Sequence, residues 1–492
     1  MLRQQSLELD EAPARKPGPL PLLELPPLDR SRGPGWPPDS ASTASTLPIS
    51  EKFEKEKEKQ DEEYDPFAHR QVERPVSDLG ALMHLLKCSL GTGILAMPMA
   101  FRSAGLAVGL VGTALVGYIC THCVHILVDC SQRLCRRLKV PSMDYPTTAS
   151  AAFTSGPERL RSLAPVASWF VSAGLFATYY SSITIYIIFI AATLKQVGDY
   201  HSTSDATRFD VRIYTAMLAP LVLAKGQLRH LKTLVPFSMM ANLCIVTGFA
   251  VTLYYMFVDL PPLEDRRLLP SSITALPVFL TTTIYAMEGV GAVMPVENNM
   301  RNPTHFSGCP GVVNTAMVLV CTLYCVVGFF GYYKYGEDTM GSITLNLPVH
   351  DILAQVVKLA VAASSFLSYG LQLYIVVDIA WKPLAARIDP VYHNVGERIL
   401  RVALVLGTVA LAVAVPNLGP AISLVGAVCF STLGLLYPAV IESVVLWQEP
   451  GALGWMRWKL LKNALLVALS FLALVTGTIS SVTEIIENYG LE

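Results

Sequence analysis

Apolar residues fill eleven long stretches of the chain, and short polar segments separate them. The stretches cover residues 79–100, 106–128, 166–194, 211–226, 233–258, 272–295, 311–333, 351–381, 398–415, 420–446 and 460–485. A helix of about 20 apolar residues crosses the roughly 30 Å hydrocarbon core of a bilayer. The pattern therefore predicts an all-α polytopic membrane protein with eleven transmembrane helices in a lipid bilayer.

The composition agrees with that pattern. Hydrophobic residues make up 52% of the 492 residues and charged residues only 15%, against about 25% charged in average soluble chains. The formal net charge of −1 shows no basic excess that would attract nucleic acid. These values exclude an ordinary cytosolic enzyme, a secreted disulfide scaffold and a nucleic-acid-binding protein. The sequence contains no nucleophile–base pattern or phosphate-binding loop, so we expect no enzymatic activity, no cofactor and no metal site.

Residues 1–78 differ from the rest of the chain. They hold 12 of the 33 prolines and a charge-alternating run at 51–59, so they lack the apolar surface that offsets chain entropy. We predict a disordered cytosolic tail. Its Tyr64-Asp-Pro-Phe67 pattern resembles signals that sorting adaptors read, which makes a cytosolic sorting or signalling partner a hypothesis. The location would then be the plasma membrane, the endosomal–lysosomal membrane, or both.

Lysine and arginine positions predict the orientation. If the tail is cytosolic, the loops assigned to the inside carry 17 of these residues and the outer loops carry 7. Cytoplasmic loops of membrane proteins carry the excess of Lys and Arg. The count therefore predicts a cytosolic N-terminus.

The first and sixth apolar stretches share an unusual feature. The first contains Gly91-Thr92-Gly93 followed by Met97-Pro98, and the sixth contains Gly289-Val290-Gly291 followed by Met294-Pro295. Glycine and proline free the backbone from helical geometry, and free backbone polar groups at membrane depth must line a cavity. Interrupted spans at matching places in two halves are typical of transporters built from inverted repeats. Close packing of small residues is the alternative explanation.

This reading predicts two five-helix repeats at about 79–258 and 272–446, followed by an extra helix at 460–485. The free N–H groups of a half-helix starting near Gly93 suit a carboxylate, and carbonyls near residues 288–291 suit an ammonium group. A zwitterion satisfies both. The predicted substrate-binding residues are Ser89, Gly91, Thr92, Gly93, Tyr186, Glu288, Gly289 and Gly291.

Ionisable residues are rare inside spans and are functional candidates. His84 lies two helical turns before Gly91, and Glu288 lies at the second break. Histidine is the side chain type whose charge changes within the physiological pH range. We predict that His84 and Glu288 couple transport to protons. A neutral histidine bonded to a backbone carbonyl, and a carboxylate that merely caps free N–H groups, are the alternatives.

Four motifs resemble the proton-coupled amino acid transporter family, a branch of the amino acid/auxin permease group. They are His84–Pro98, Glu288–Asn298, Gly341–Pro348 and Ile422–Gly426. The resemblance covers residues 76–485. It implies eleven spans, a LeuT-like fold of two inverted five-helix repeats, and symport of small neutral amino acids with a proton, and it assigns proton sensing to His84.

Two other functions remain open from the sequence. The hydroxyls of Ser364 and Ser365 could form a sodium site with carbonyls of the first span, which would make the chain a sodium-coupled amino acid symporter. Alternatively, the chain could be an amino acid sensor that signals to a cytosolic partner through its tail.

Overall fold

The structure is a computed structural model that describes residues 64–488, except 71, 73–74, 90, 203–207, 229–230, 288, 448–453 and 455–456. Within these residues the chain forms seventeen α-helices. They are α1 Asp78–Ser89, α2 Thr92–Ala104, α3 Leu106–Leu138, α4 Tyr145–Thr154, α5 Glu158–Arg161, α6 Ala164–His201, α7 Val211–Met217, α8 Ala219–Gly226, α9 Leu231–Phe257, α10 Leu276–Met287, α11 Val290–Asn298, α12 Val312–Tyr335, α13 Ile352–Ala385, α14 His393–Ala414, α15 Leu418–Val425, α16 Tyr437–Trp447 and α17 Trp458–Asn488.

Eight helices in the described chain are long and apolar enough to cross a membrane, or nine if the bent pair α1 and α2 forms one span. The predicted count of eleven is therefore not confirmed. Predicted span 211–226 consists of two short helices, α7 and α8. Pro220 lies in the first turn of α8, where its missing N–H cannot continue the hydrogen-bond ladder from α7. Predicted span 398–415 lies within α14, whose first half includes the charged residues Glu397, Arg398 and Arg401.

The predicted tail is described by the structure only between residues 64 and 78, and this segment packs against the helical bundle. The backbone N–H of Val76 donates to the Asn299 carbonyl at 2.8 Å, and the Arg301 N–H donates to the Val76 carbonyl at 2.9 Å. The compact unit begins at Tyr64, whereas the sequence placed the start of the transmembrane domain after residue 78, and the disorder of the tail stays a prediction. The charged run at 51–59 lies outside the described residues.

The helix α10 packs closely against two neighbouring segments because each contributes a glycine at the contact. A Cβ atom on Gly93 of α2 would lie 2.8 Å from the Ala286 Cα atom, and a Cβ on Gly426 would lie 2.0 Å from the Thr281 carbonyl oxygen. Gly426 opens a π-helical stretch, Gly426–Leu436, between α15 and α16. The fold therefore holds α10 tightly at its middle by Gly426 and near its broken end by Gly93.

Candidate functional site

Both predicted helix breaks are present. The helix α1 ends at Ser89, α2 begins at Thr92, and their axes differ in direction by 51°. Gly91 between them has φ −111° and ψ −143°, which is far from helical geometry. In the second broken span, α10 ends at Met287 and α11 begins at Val290.

The two breaks face each other. A Cβ atom on Gly289 would lie 4.0 Å from Ser89 Oγ, so the interrupted backbone of one span lies beside that of the other. The Tyr324 hydroxyl of α12 contacts the Ser89 carbonyl oxygen and also the Ala286 carbonyl oxygen, the latter at 2.8 Å. Tyr324 is fully buried. One hydroxyl proton therefore serves two carbonyls, one from each broken span.

A cavity of about 140 Å³ lies at the breaks. Its walls come from both broken spans, from α6 and α13, and from the π-helical stretch. The lining residues are Cys88, Ser89, Gly91, Thr92, Gly93, Thr178, Tyr179, Ser182, Tyr186, Tyr285, Ala286, Gly289, Gly291, Ala292, Gln372 and Phe430. Every described residue that was predicted to bind substrate lines this one cavity, whereas Glu288 lies outside the described residues.

Four helix ends meet at the cavity. The helices α1 and α10 end there and α2 and α11 begin there, so their last carbonyls and first N–H groups have no partner within their own helix. Helix starts carry partial positive charge and helix ends carry partial negative charge. None of the described lining residues is an Asp, Glu, Lys or Arg. The arrangement thus offers both signs of partial charge and suits a zwitterion without net charge.

Part of the polar wall was missed by the sequence reasoning. Tyr179 and Ser182 line the cavity from α6 beside Tyr186, which was predicted, and the spacing of three and four residues marks one helical face, which was a usable signal. The Thr92 hydroxyl lies 3.0 Å from Tyr285 Oη. Gln372 of α13 also lines the cavity, and an amide in an otherwise apolar stretch was its only sequence signal.

The predicted proton site lies beside the cavity. His84 is on an exposed face of α1 and is absent from the cavity lining. It precedes the lining residue Cys88 by four positions, and residues at this spacing share a helical face. His84 therefore lies one turn from the cavity along α1. Its role in proton coupling stays a prediction.

Ser364 and Ser365, the two serines of the sodium hypothesis, lie outside the lining of this cavity. Ser364 Oγ donates to the Ala241 carbonyl at 2.8 Å, and Ser365 Oγ donates to the Val361 carbonyl at 3.1 Å. Neither serine lines the cavity at the breaks. Both hydroxyl protons are engaged by backbone carbonyls, and the sodium site also stays a prediction.

Comparison with solved structures identifies the class of fold. The fold matches that of Mhp1 in its inward-facing conformation, with a TM-score of 0.53 at 12% sequence identity, over 86% of this chain and 91% of that chain. The LeuT-like fold expected from the sequence is thereby supported. The protein is a multi-pass integral membrane protein.

The family follows from the sequence. Residues 74–483 match the model of the transmembrane amino acid transporter proteins, and the chain belongs to that family. It is 41% identical over 431 residues to the proton-coupled amino acid transporter-like protein pathetic of Drosophila melanogaster, covering 87% of this chain and 89% of that protein. It is 25% identical over 419 residues to the probable amino acid transporter skat-1 of Caenorhabditis elegans, covering 83% and 90%. The family resemblance seen in the sequence is confirmed.

Proposed function

We propose that this protein is a secondary active transporter that carries small neutral amino acids together with protons by alternating access. The observation that carries the proposal is the cavity between the two broken spans. It has no charged side chain among its described lining residues, and it offers helix starts for a carboxylate and helix ends for an ammonium group. Its volume of about 140 Å³ favours small substrates. The name of the Drosophila relative, a proton-coupled amino acid transporter-like protein, supports proton coupling.

The coupling proton would bind at His84, one helical turn from Cys88 in the cavity wall. Histidine changes charge within the physiological pH range. A proton that moves through about 100 mV releases roughly 2.3 kcal/mol, and one pH unit adds about 1.4 kcal/mol. Together these terms could concentrate a neutral amino acid by several hundredfold. Glu288 would be a second proton site.

We further propose eleven spans, with α7 and α8 forming the fourth and α14 the ninth, and a cytosolic N-terminus. Two arginines in the last turn of α3, Arg136 and Arg137, support this orientation. The protein would work in the plasma membrane or in endosomal–lysosomal membranes.

The test is amino-acid-evoked current in sodium-free medium, with the outside pH stepped from about 7.5 to about 5.5, across the titration range of histidine. Glycine, alanine, proline and tryptophan are supplied in turn. We expect an inward current that grows with acidity and is largest for the small substrates. A current that requires sodium would show that sodium, and not the proton, is the coupling ion. Absence of current in both media, for protein shown at the surface, would contradict transport and favour the sensor hypothesis.

His84 is tested in the same assay. His84→Ala should abolish the acid-stimulated current while the protein remains in the membrane, because the proposed proton site is lost. His350→Ala is the matched control, since His350 is exposed just before α13 and is absent from the cavity lining. Retention of acid-stimulated current by the His84 variant would remove this residue from the mechanism.

A further inference from the structure

Two polar side chains in the cavity wall form an incomplete hydrogen-bonding pair. Gln372 Nε2 on α13 donates to Tyr186 Oη on α6 at 2.9 Å. Gln372 Oε1 is buried and accepts no hydrogen bond within the described part of the chain. The Tyr186 hydroxyl proton likewise has no acceptor there, because this oxygen acts only as the acceptor of the Gln372 bond. Both side chains line the cavity.

The pair therefore offers both a donor and an acceptor to a ligand. The donor is the Tyr186 O–H group and the acceptor is Gln372 Oε1. This balance does not depend on which way the amide is turned. If the amide were reversed, Tyr186 would donate to the amide oxygen, leaving an amide N–H as the donor and the phenol oxygen as the acceptor. In either arrangement the complementary ligand group is one that both donates and accepts.

The position of the pair assigns it to one part of the substrate. An amino acid carries three groups on Cα apart from hydrogen: the carboxylate, the ammonium group and the side chain. The helix ends at the two breaks satisfy the first two groups. The walls from α6 and α13 are then left for the third group, and this step rests on the proposed function.

We propose that the Tyr186–Gln372 pair recognises the hydroxyl of small amino acid side chains, so that serine and threonine are preferred over alanine and valine. A hydroxyl donates one hydrogen bond and accepts others, which completes both halves of the pair. Valine has nearly the shape of threonine but leaves a buried donor and a buried acceptor unpaired. Leaving such groups unpaired is more costly than the net gain of making the bond, and sites built for a hydroxyl reject analogues that lack it.

The experiment measures apparent affinities for threonine, valine, serine and alanine by competition in cells expressing the same surface amount of protein. We expect the wild-type protein to prefer threonine over valine by about tenfold, which corresponds to about 1.4 kcal/mol. Gln372→Met keeps the volume but removes the amide, and it should reduce the ratio to about one. Tyr186→Phe removes one half of the pair, and it should reduce the ratio in the same direction even if the Met variant fails to fold.

Tyr180→Phe is the matched control. Tyr180 lies on the same helix as Tyr186, but its hydroxyl donates to the Leu404 carbonyl at 3.1 Å and it does not line the cavity. This variant should keep the wild-type ratio. Because a ratio is measured within one variant, differences in expression do not affect it.

The outcomes separate this inference from the proposed function. Transport of all four amino acids by the wild-type protein with a ratio near one would overturn the inference and leave the transporter intact, since water would then satisfy the pair. A wild-type preference that survives in Gln372→Met and Tyr186→Phe would also overturn it. A wild-type protein that is at the surface but transports no amino acid would overturn both.

Discussion

The ion pair between Arg70 and Glu297 joins the N-terminal segment to the end of the second broken span. The Arg70 Nη2 and Glu297 Oε1 atoms lie 3.0 Å apart, and the two side chains are 6% and 1% exposed. Arg70 also donates to the Pro141 carbonyl at 2.8 Å, and Gln132 Nε2 donates to Glu297 Oε1 at 3.0 Å. Glu297 lies in the last turn of α11. The pair therefore attaches a segment outside the helical bundle to a helix that forms the cavity.

Arg70→Ala should destabilise the protein substantially. The change leaves the Glu297 carboxylate buried, with the Gln132 amide as its remaining described side-chain donor. Breaking a buried ion pair in this way costs about 3–5 kcal/mol. One kcal/mol shifts the melting temperature of a mid-sized domain by about 2–4 °C, and less in a longer chain, so we expect a fall on the order of 5 °C.

The assay is thermal unfolding of the purified protein in detergent, followed by intrinsic fluorescence. The matched control is Lys382→Ala, which breaks an ion pair with Asp378 whose side chains are 73% and 48% exposed. Exposed pairs contribute only about 0–1 kcal/mol. The double variant Arg70→Ala with Glu297→Ala should lose less stability than the two single variants added together, because the partners are coupled. A melting temperature for Arg70→Ala no lower than that of the control would refute the reasoning.

Two further predictions concern the breaks. Gly93→Ala should abolish uptake, because its Cβ would lie 2.8 Å from the backbone of Ala286, whereas Gly308→Ala, outside the cavity lining, should keep uptake within a few-fold because its Cβ would make only an ordinary contact, 3.4 Å from the Thr304 carbonyl oxygen. Equal uptake by the two variants at equal surface level would contradict the close approach. Tyr324→Phe should lower the unfolding free energy by about 1–3 kcal/mol, because the carbonyls of Ser89 and Ala286 lose their buried donor. An unchanged melting temperature would show that those carbonyls have other partners.

The breaks could be predicted from sequence because their cause is local. Glycine weakens a helix through its own backbone freedom and proline through its missing N–H, so Gly91 with Pro98 and Gly289 with Pro295 marked the interruptions without knowledge of their neighbours in space. Repetition of the pattern in two corresponding spans then indicated that they meet. The cavity follows from that meeting, which explains why the described residues chosen from the sequence line one cavity.

Contacts between distant parts of the chain could not be predicted in the same way. Arg70 and Glu297 are 227 positions apart, and Tyr186 and Gln372 are 186 positions apart. Nothing in the local pattern of either member identifies its partner. The polar composition of residues 64–78 therefore favoured disorder, although a buried ion pair and backbone hydrogen bonds attach this segment to the body.

The Tyr324 hydroxyl links the two helix breaks, because it donates to a backbone carbonyl of each broken span. Separating α1 from α10 would leave the Ser89 or the Ala286 carbonyl without its buried donor, at a cost of about 1–3 kcal/mol. A ligand that binds the helix ends of one break therefore acts on both, and the two broken spans should move as a pair. Tyr186 and Gln372 lie on α6 and α13, outside that pair. Closure of the broken spans around a substrate would then bring the substrate's side chain against the wall formed by Tyr186 and Gln372. A substrate side chain that is complementary to this wall would favour closure, and one that is not would oppose it.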